Sequence, residues 1–569
     1  MKKVTLILVC LFILGAGLRA ANLRRPINTT SWRESDVAAI ARNYVREGMN
    51  PFYPRIDWRG DGPGYAEMEF PLYPWMIAIC YKLFGLHESI GRIISFIFSI
   101  LSMFVFFRLA LFLLPEKGAI VASLFYILSP LVIGISTSLQ PEGLMFLTYL
   151  LAAYFFLRWL EDESWTNFSA ALVATALTIL AKASAAHIGL LFSFLVISRL
   201  GILALLQRRM WLFGVGAVLP SLIWYRHAHQ LWLTYGNSLG VSNETHWAGL
   251  DLFTNPAFIL GIERAELFHA WTPIGVILVV AAVVLRRQSK SVKFCLYWLL
   301  AITVFYLIAA RTTGDAWATY YHVISVPPVA LLVGAGMDAI SELNFRRSLL
   351  QSLCLASLGL IALLAVADLL RLSSIDMRLL VKLSVLFGLS VLMLAALILR
   401  HNQKLESLGS RSALLNTVVI YFSGVCLAAT SLYQIRTIRD DFRARADEGS
   451  LKTCAQKFAP SIPLNVLIAA SGGACVDPTG FPVAYNASYM FYWLDRKGFN
   501  ICIERQSIAA LNILRARGAR YFVAEKSVLK LSPGFYEELK RNFPLIEECN
   551  DAYLFELNPS LVDSRSGKR

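Results

Sequence analysis

The sequence predicts an α-helical polytopic membrane protein with a small soluble α/β domain at its C-terminus. Three observations carry this. Hydrophobic residues make up 57% of the chain, and the mean hydropathy is +0.57, a level that soluble proteins rarely reach. Apolar runs of span length recur between residues 4 and 433, as multiple transmembrane helices require. Lys and Arg concentrate in alternate joins between those runs. The formal net charge of +15 is therefore read as basic cytoplasmic loops, not as a nucleic-acid surface.

The opening MKKVTLILVCLFILGAGLRAA has two lysines, an apolar core and small residues near its end. It looks like a signal peptide, but it is long enough to span and many spans follow, so a retained signal anchor from Val4 to Ala21 is the simpler reading. Lys2 and Lys3 keep the N-terminus in the cytoplasm and put the polar stretch 22–85 outside. In that stretch Ser31 and Glu34 fit a capping box, and Val37, Ile40, Ala41, Tyr44 and Val45 recur at helical spacing. Phe70 to Gly85, interrupted by Pro71, Pro74 and Lys82, reads as an interfacial helix anchored by Tyr73, Trp75 and Tyr81.

Spans follow at 90–114, 118–136, 142–160, 166–182, 184–200, 210–231, 269–285, 294–310, 320–340, 349–370, 378–399 and 412–433. With the first, that makes about thirteen. The inner joins hold Lys117; Arg199, Arg208 and Arg209; Arg286, Arg287, Lys290 and Lys293; Arg346 and Arg347; and Arg400, Lys404 and Arg411. The later outer joins are poor in Lys and Arg, and an odd count leaves the C-terminus outside. The join at Lys182 has almost no loop. Residues 1–439 thus read as a transmembrane module with outer loops at 22–85 and 232–268, and 440–569 as an extracytoplasmic α/β domain.

That domain has strand-like runs at 466–470, 521–525 and 553–557, and helix-like stretches from Ile508 to Arg517 and Tyr536 to Phe543. Cys454, Cys475, Cys502 and Cys549 all fall in it, compatible with one or two disulfides outside the cytoplasm, with three full pairings open. The other five cysteines lie in apolar runs and pack as small hydrophobes.

Chemistry is expected in the first outer loop. Asp36, read in the first helical turn with no obvious structural partner, is stabilised by the helix dipole and expected to stay ionised, which suits it to take a proton from a nucleophile. The plain alternative is a helix-start Asp with no further role. Glu34 has a structural role available as the capping partner. Glu67 and Glu69 form a second acidic cluster, with Glu69 before Pro71 at another helix start. Asp36 and Glu69 are placed to flank one site or to share a divalent cation, the one cofactor the pattern admits. Arg55 and Arg59 are candidate phosphate contacts, or equally lipid head-group contacts. Lys182 also reads as a residue snorkelling to the interface. Glu263, Arg264 and Glu266 are candidates for lining a substrate groove.

The segments WRESDVAAIARN, NPFYPRIDWRG and EMEFPLYPW together resemble the first outer loop of the glycosyltransferase C superfamily. The likeness is to the branch containing protein O-mannosyltransferases and the lipid A aminoarabinose transferase, which use polyprenyl-phosphate sugars. Asp36 matches the acidic residue that opens the family's first loop helix, and Glu69-Phe70-Pro71 its Glu-x-Pro element. SPLVIGISTSLQPEGLMFLTYLLAAYFFLRWL, LAKAS and TYYHVISVPPVALLVG resemble later family segments. The resemblance covers roughly 1–340 and implies donor contacts from Lys182, His322, Tyr320 and Tyr321, with Arg55 and Arg59 as further phosphate candidates. Trp32, Glu34, Glu67 and Glu142 would lie beside the acceptor or behind the catalytic pair. Two departures stand out: the mannosyltransferases' Asp-Glu pair is absent around Asp36, and Phe70 stands where the aminoarabinose transferase has Lys.

The resulting expectation is an inner-membrane glycosyltransferase. It would move a sugar from a polyprenyl-phosphate donor to a lipid, glycan or protein acceptor on the outer face, with inversion. The alternative class is a lipid-linked glycan flippase, which would be expected to carry ionisable residues at mid-membrane in broken helices. An inactive relative that only binds the lipid-linked sugar is a third reading.

Overall fold

The computed structural model describes residues 2–27, 31–240, 249–272, 275–314, 316–341, 431, 433–439, 449–476 and 487–557. The first apolar segment is α1 (Lys2–Ala20), and the outer-loop helix is α2 (Trp32–Glu47). Ser31 caps α2, its Oγ accepting from the Glu34 N–H at 3.4 Å, and the apolar face from Val37 to Tyr44 is buried. The reciprocal half of the capping box does not form. The Glu34 carboxylate instead accepts from both Arg92 Nη atoms at 3.1 Å and from the Leu139 N–H at 3.0 Å. A buried Arg–carboxylate fork satisfies far more of the charge than a cap would.

The interfacial helix is α3 (Leu72–Phe84), fixed to α4 (Glu88–Leu113) by the Tyr73 hydroxyl, which lies 2.9 Å from Gly91 O and 2.7 Å from Ser95 Oγ. Pro71 is its cap residue, so Glu69 lies ahead of the helix and not in its first turn. The expected span 118–136 is two helices, α5 (Glu116–Ile127) and α6 (Pro130–Ser136), bent by 58°. The break falls where Pro130 drives Ser129 out of the helical region.

Next come α7 (Glu142–Asp162) and α8 (Trp165–Ala181), joined by a tight turn with Glu163 left-handed at φ 48°. An antiparallel pair returns its last residue beside its first. At that end α8 stops at Lys182, which is extended, and a 3-10 turn (Ala183–His187) leads into α9 (Ile188–Leu200). The chain continues through α10 (Arg208–Tyr235), α11 (Pro256–Ala265), α12 (Gly275–Arg286) and α13 (Lys290–Ile308). A 3-10 run (Ala316–Ser325) then enters α14 (Val326–Ser341). Helices α5 and α14 touch at backbone distance: a Cβ on Gly334 would sit 2.3 Å from Gly118 O, the close approach that small residues permit between membrane helices.

Among the described residues five helices are long and apolar enough to cross a membrane, or six if α5 and α6 count as one bent span. The expected count of about thirteen is thus not reached among them. The expected spans 349–370 and 378–399, and most of 412–433, lie outside the described residues.

The C-terminal region forms a five-stranded sheet in the order β2-β1-β3-β5-β4. Its strands are β1 (Leu467–Ser471), β2 (Lys497–Ile501), β3 (Ala519–Glu525), β4 (Leu545–Glu548) and β5 (Ala552–Glu556). The first three are parallel, and β5 is antiparallel to β3 and β4. Helices α15 (Ser450–Phe458), α16 (Ser488–Leu494), α17 (Ile508–Ala516) and α18 (Pro533–Asn542) accompany it. Of the three open pairings the structure has Cys454–Cys549 and Cys475–Cys502. The sheet docks on the first outer loop through β2: Gly60 N–H donates to Gly498 O at 2.7 Å, and Gly498 N–H to Asp57 O at 3.1 Å.

Candidate active site

Four stretches far apart in the chain meet at the α7/α8 end of the helix bundle. Helix α2 brings Arg33 and Asp36, three residues apart and so on one face. The segment ahead of α3 brings Glu69. It is pinned by the Phe70 N–H on Leu180 O at 3.1 Å and by Trp224 Nε1 on Met68 O at 3.0 Å. The α7/α8 pair brings Glu142 and Lys182, and the 3-10 run brings Tyr320 and Tyr321.

Arg33 Nη1 lies 3.1 Å from Glu69 Oε1, and its guanidinium 5.7 Å from the Tyr320 ring centre. Lys182 is ion-paired with Glu142. Its ammonium lies 4.5 and 4.4 Å from the Tyr320 and Tyr321 rings, a cation–π cage. Lys182 and Glu142 are both buried, so Lys182 does not snorkel. The burial is tolerable because each charge has its partner. One Glu142 oxygen, Oε2, makes no hydrogen bond, and beside this pair opens a cleft lined also by Met145, Ser184, His187, Phe305 and Ile324.

Asp36 is 1% exposed. Its Oδ1 accepts from Trp58 Nε1 at 2.9 Å, while Oδ2 is buried without a hydrogen bond. Burial pushes its carboxyl up to about 8, against the pull of the Trp58 N–H and Arg33 and with the push of Asp57. The expected ionised, dipole-stabilised carboxylate is therefore corrected. Asp36 sits beyond the first turn of α2, where the dipole has faded, and desolvation dominates.

The remaining expected residues have other engagements. Arg59 donates to both Glu47 oxygens at 2.8 Å, and Arg55 to Glu47 O at 2.9 Å and Tyr65 Oη at 3.0 Å. Neither guanidinium is committed to Glu69 or Asp36. Glu67 accepts from Ser238 Oγ at 2.6 Å, tying the loop to the end of α10. His322 faces Glu266 Oε1 at 2.6 Å and Thr313 O at 2.8 Å. Glu266 also accepts from Trp271 and Tyr306, so it is an internal partner rather than an open groove wall. The Trp32 carbonyl accepts from Ser488 Oγ at 2.9 Å.

Sequence reasoning passed over Arg33, Trp58 and Ser488. Arg33 could have been found from its i, i+3 spacing to Asp36. Nothing local signals Trp58 or Ser488, because each reaches α2 only through tertiary folding. Among the described residues the one group of three possible metal ligands is Cys475, Cys502 and Glu504, and its two cysteines are disulfide-bonded.

Residues 63–224 match the family described as dolichyl-phosphate-mannose-protein mannosyltransferase. That match contains Glu69, Glu142 and Lys182 but not Asp36 or Tyr320. Among solved structures, ArnT from Cupriavidus metallidurans in the apo state is similar with a TM-score of 0.58 at 15% identity, covering 97% of this chain and 98% of that one. The same enzyme bound to undecaprenyl phosphate gives 0.57 at 14% identity, covering 98% of each. No curated protein matches the chain. Over nearly the whole chain the fold is similar to that of ArnT.

Proposed function

We propose that the protein transfers a sugar from a polyprenyl-phosphate donor to a nucleophilic acceptor at the outer face of a bacterial inner membrane, its N-terminus cytoplasmic and its C-terminal domain periplasmic. The observation that carries the reading is the gathering of Asp36, with one carboxyl oxygen unpartnered, beside the partly buried Arg33, whose guanidinium shares the Tyr320 ring with the buried Lys182. Arg33 is paired with Glu69 and Lys182 with Glu142. The ArnT structure bound to undecaprenyl phosphate supports a lipid-phosphate ligand for this fold.

In the reaction the acceptor oxygen or nitrogen attacks the anomeric carbon from the face opposite the phosphate. The new bond to carbon forms as the carbon–phosphate-oxygen bond breaks, and the configuration inverts. The acceptor's proton passes to Asp36, and polyprenyl phosphate leaves with the bonding electrons. Arg33 and Lys182 stabilise the charge that grows on the leaving phosphate, an effect strongest in a water-excluded site. A carboxyl whose affinity for protons lies near the working pH suits a general base. Glu69 orients Arg33, and Tyr320 and Tyr321 wall the donor's sugar. A flippase is disfavoured because the titratable cluster gathers at one end of the helices, joined to an outer loop, instead of at mid-membrane.

The test is donor kinetics in nanodiscs for Arg33→Gln and for the paired Glu142→Gln, Lys182→Gln variant, which leaves no buried charge alone. Donor KM is expected to rise about tenfold or more, the loss of one charge-assisted contact. Donor affinity unchanged in both variants would remove the phosphate-holding role.

A further inference from the structure

The C-terminal domain grips α2 along its length. Ser488, the first residue of α16, is 2% exposed and donates to the Trp32 carbonyl, one helical turn before Asp36. The Tyr492 carbonyl accepts from Arg42 Nη1 at 3.2 Å, and the Tyr492 ring lies 5.0 Å from that guanidinium. Asp495 is 2.8 Å from both Arg42 and Arg46, and Lys497 pairs with Glu47. The contacts reach α2 in its first turn and in its last, with Asp36 between them.

Helix α2 is also held by partners from the 22–85 loop. Arg42 and Asn43 both bond Asp57, one residue before Trp58, and Trp58 holds Asp36. The clamp and the Trp58 strap therefore share Arg42. A base must be held within fractions of an ångström to be effective, and such precision comes from the elements packed behind it.

We propose that the segment Ser488–Lys497 is a positioning clamp that fixes the base-bearing helix, with Ser488 and Asp495 as its positioning residues. Its catalytic consequence rests on the proposed transferase reading; the grip on α2 does not. The domain is then a working part of the active site and not merely a cover. Without the clamp α2 loses its fixed placement, so proton transfer to Asp36 and the Arg33 contact to the donor both suffer, while the Lys182 contact, which α2 does not carry, stays.

The experiment compares wild type with Ser488→Ala, Ser488→Thr and Asp495→Ala in nanodiscs, by hydrogen exchange and donor turnover. Amides of 32–47 should exchange faster in the two alanine variants. Amides of β1 and β3 should be unchanged, which shows that the sheet remains folded. The kcat should fall about tenfold or more, donor KM should rise as well because Arg33 rides on α2, and Ser488→Thr, which keeps the hydroxyl, should restore exchange and turnover. Unchanged exchange in α2 with an intact sheet overturns the clamp whatever the turnover. Faster exchange with unchanged kcat, or failure of Ser488→Thr to restore turnover, overturns the positioning role. Wild type that turns over no donor, with α2 loosened in the variants, removes the transferase reading and leaves the grip on α2 standing.

Discussion

Asp36 joins two properties that usually conflict, deep burial and the proposed acid–base task. Its carboxyl is raised from an ordinary 3.8 to about 8 by burial, so the folded state holds its proton more tightly than the unfolded chain does. The associated stability is complete below about pH 3.8 and is lost as pH rises towards 8. Asn cannot ionise. Asp36→Asn should therefore be more thermostable than wild type, by a margin that grows between pH 5 and pH 8 in thermal unfolding scans. A margin flat with pH would mean that Asp36 is ionised throughout. Asp36 and Glu69 stood out as candidates in the sequence because each sits in a short polar motif. The sequence did not make legible the state of Asp36, because desolvation is set by Trp58, the C-terminal domain and the bundle together. Lys182 was legible as a charge stranded between apolar runs, but its partner Glu142 lies on another helix.

At the scale of elements, the helix boundaries were mostly readable and the breaks were not. The 3.6-residue periodicity of α2 and the length of α4 and α7 appear directly in the apolar pattern, whereas the break at Ser129–Pro130 needed Pro130 to outweigh an otherwise continuous apolar run. Two strands escaped detection for related reasons. Lys497–Ile501 contains Gly498 and Asn500, and Leu545–Glu548 is a short edge strand with two carboxylates. Gly498 is required there. Its φ is +152°, and a Cβ would lie 1.9 Å from Ile468 O. Gly498→Ala should cost on the order of 1–3 kcal/mol and should loosen the 57–60 strap that β2 holds. Thermal unfolding with limited proteolysis of that loop would register both effects, and an unchanged melting temperature would contradict the steric argument.

At the scale of the whole molecule, the described residues place the 31–75 loop between a helical bundle and a C-terminal sheet. The change in composition near residue 440 made that sheet legible. The docking of sheet on loop was invisible to the sequence, since its partners lie at opposite ends of the chain. The central claim is that this enclosure makes Asp36 the base for sugar transfer from a polyprenyl-phosphate donor. The most direct measurement is release of polyprenyl phosphate by purified protein in nanodiscs, over a panel of polyprenyl-phosphate sugars with cell-envelope extract as acceptor, for wild type and Asp36→Asn. The account predicts release by wild type and its loss by about a hundredfold or more in the folded variant. Equal release by both proteins would contradict it.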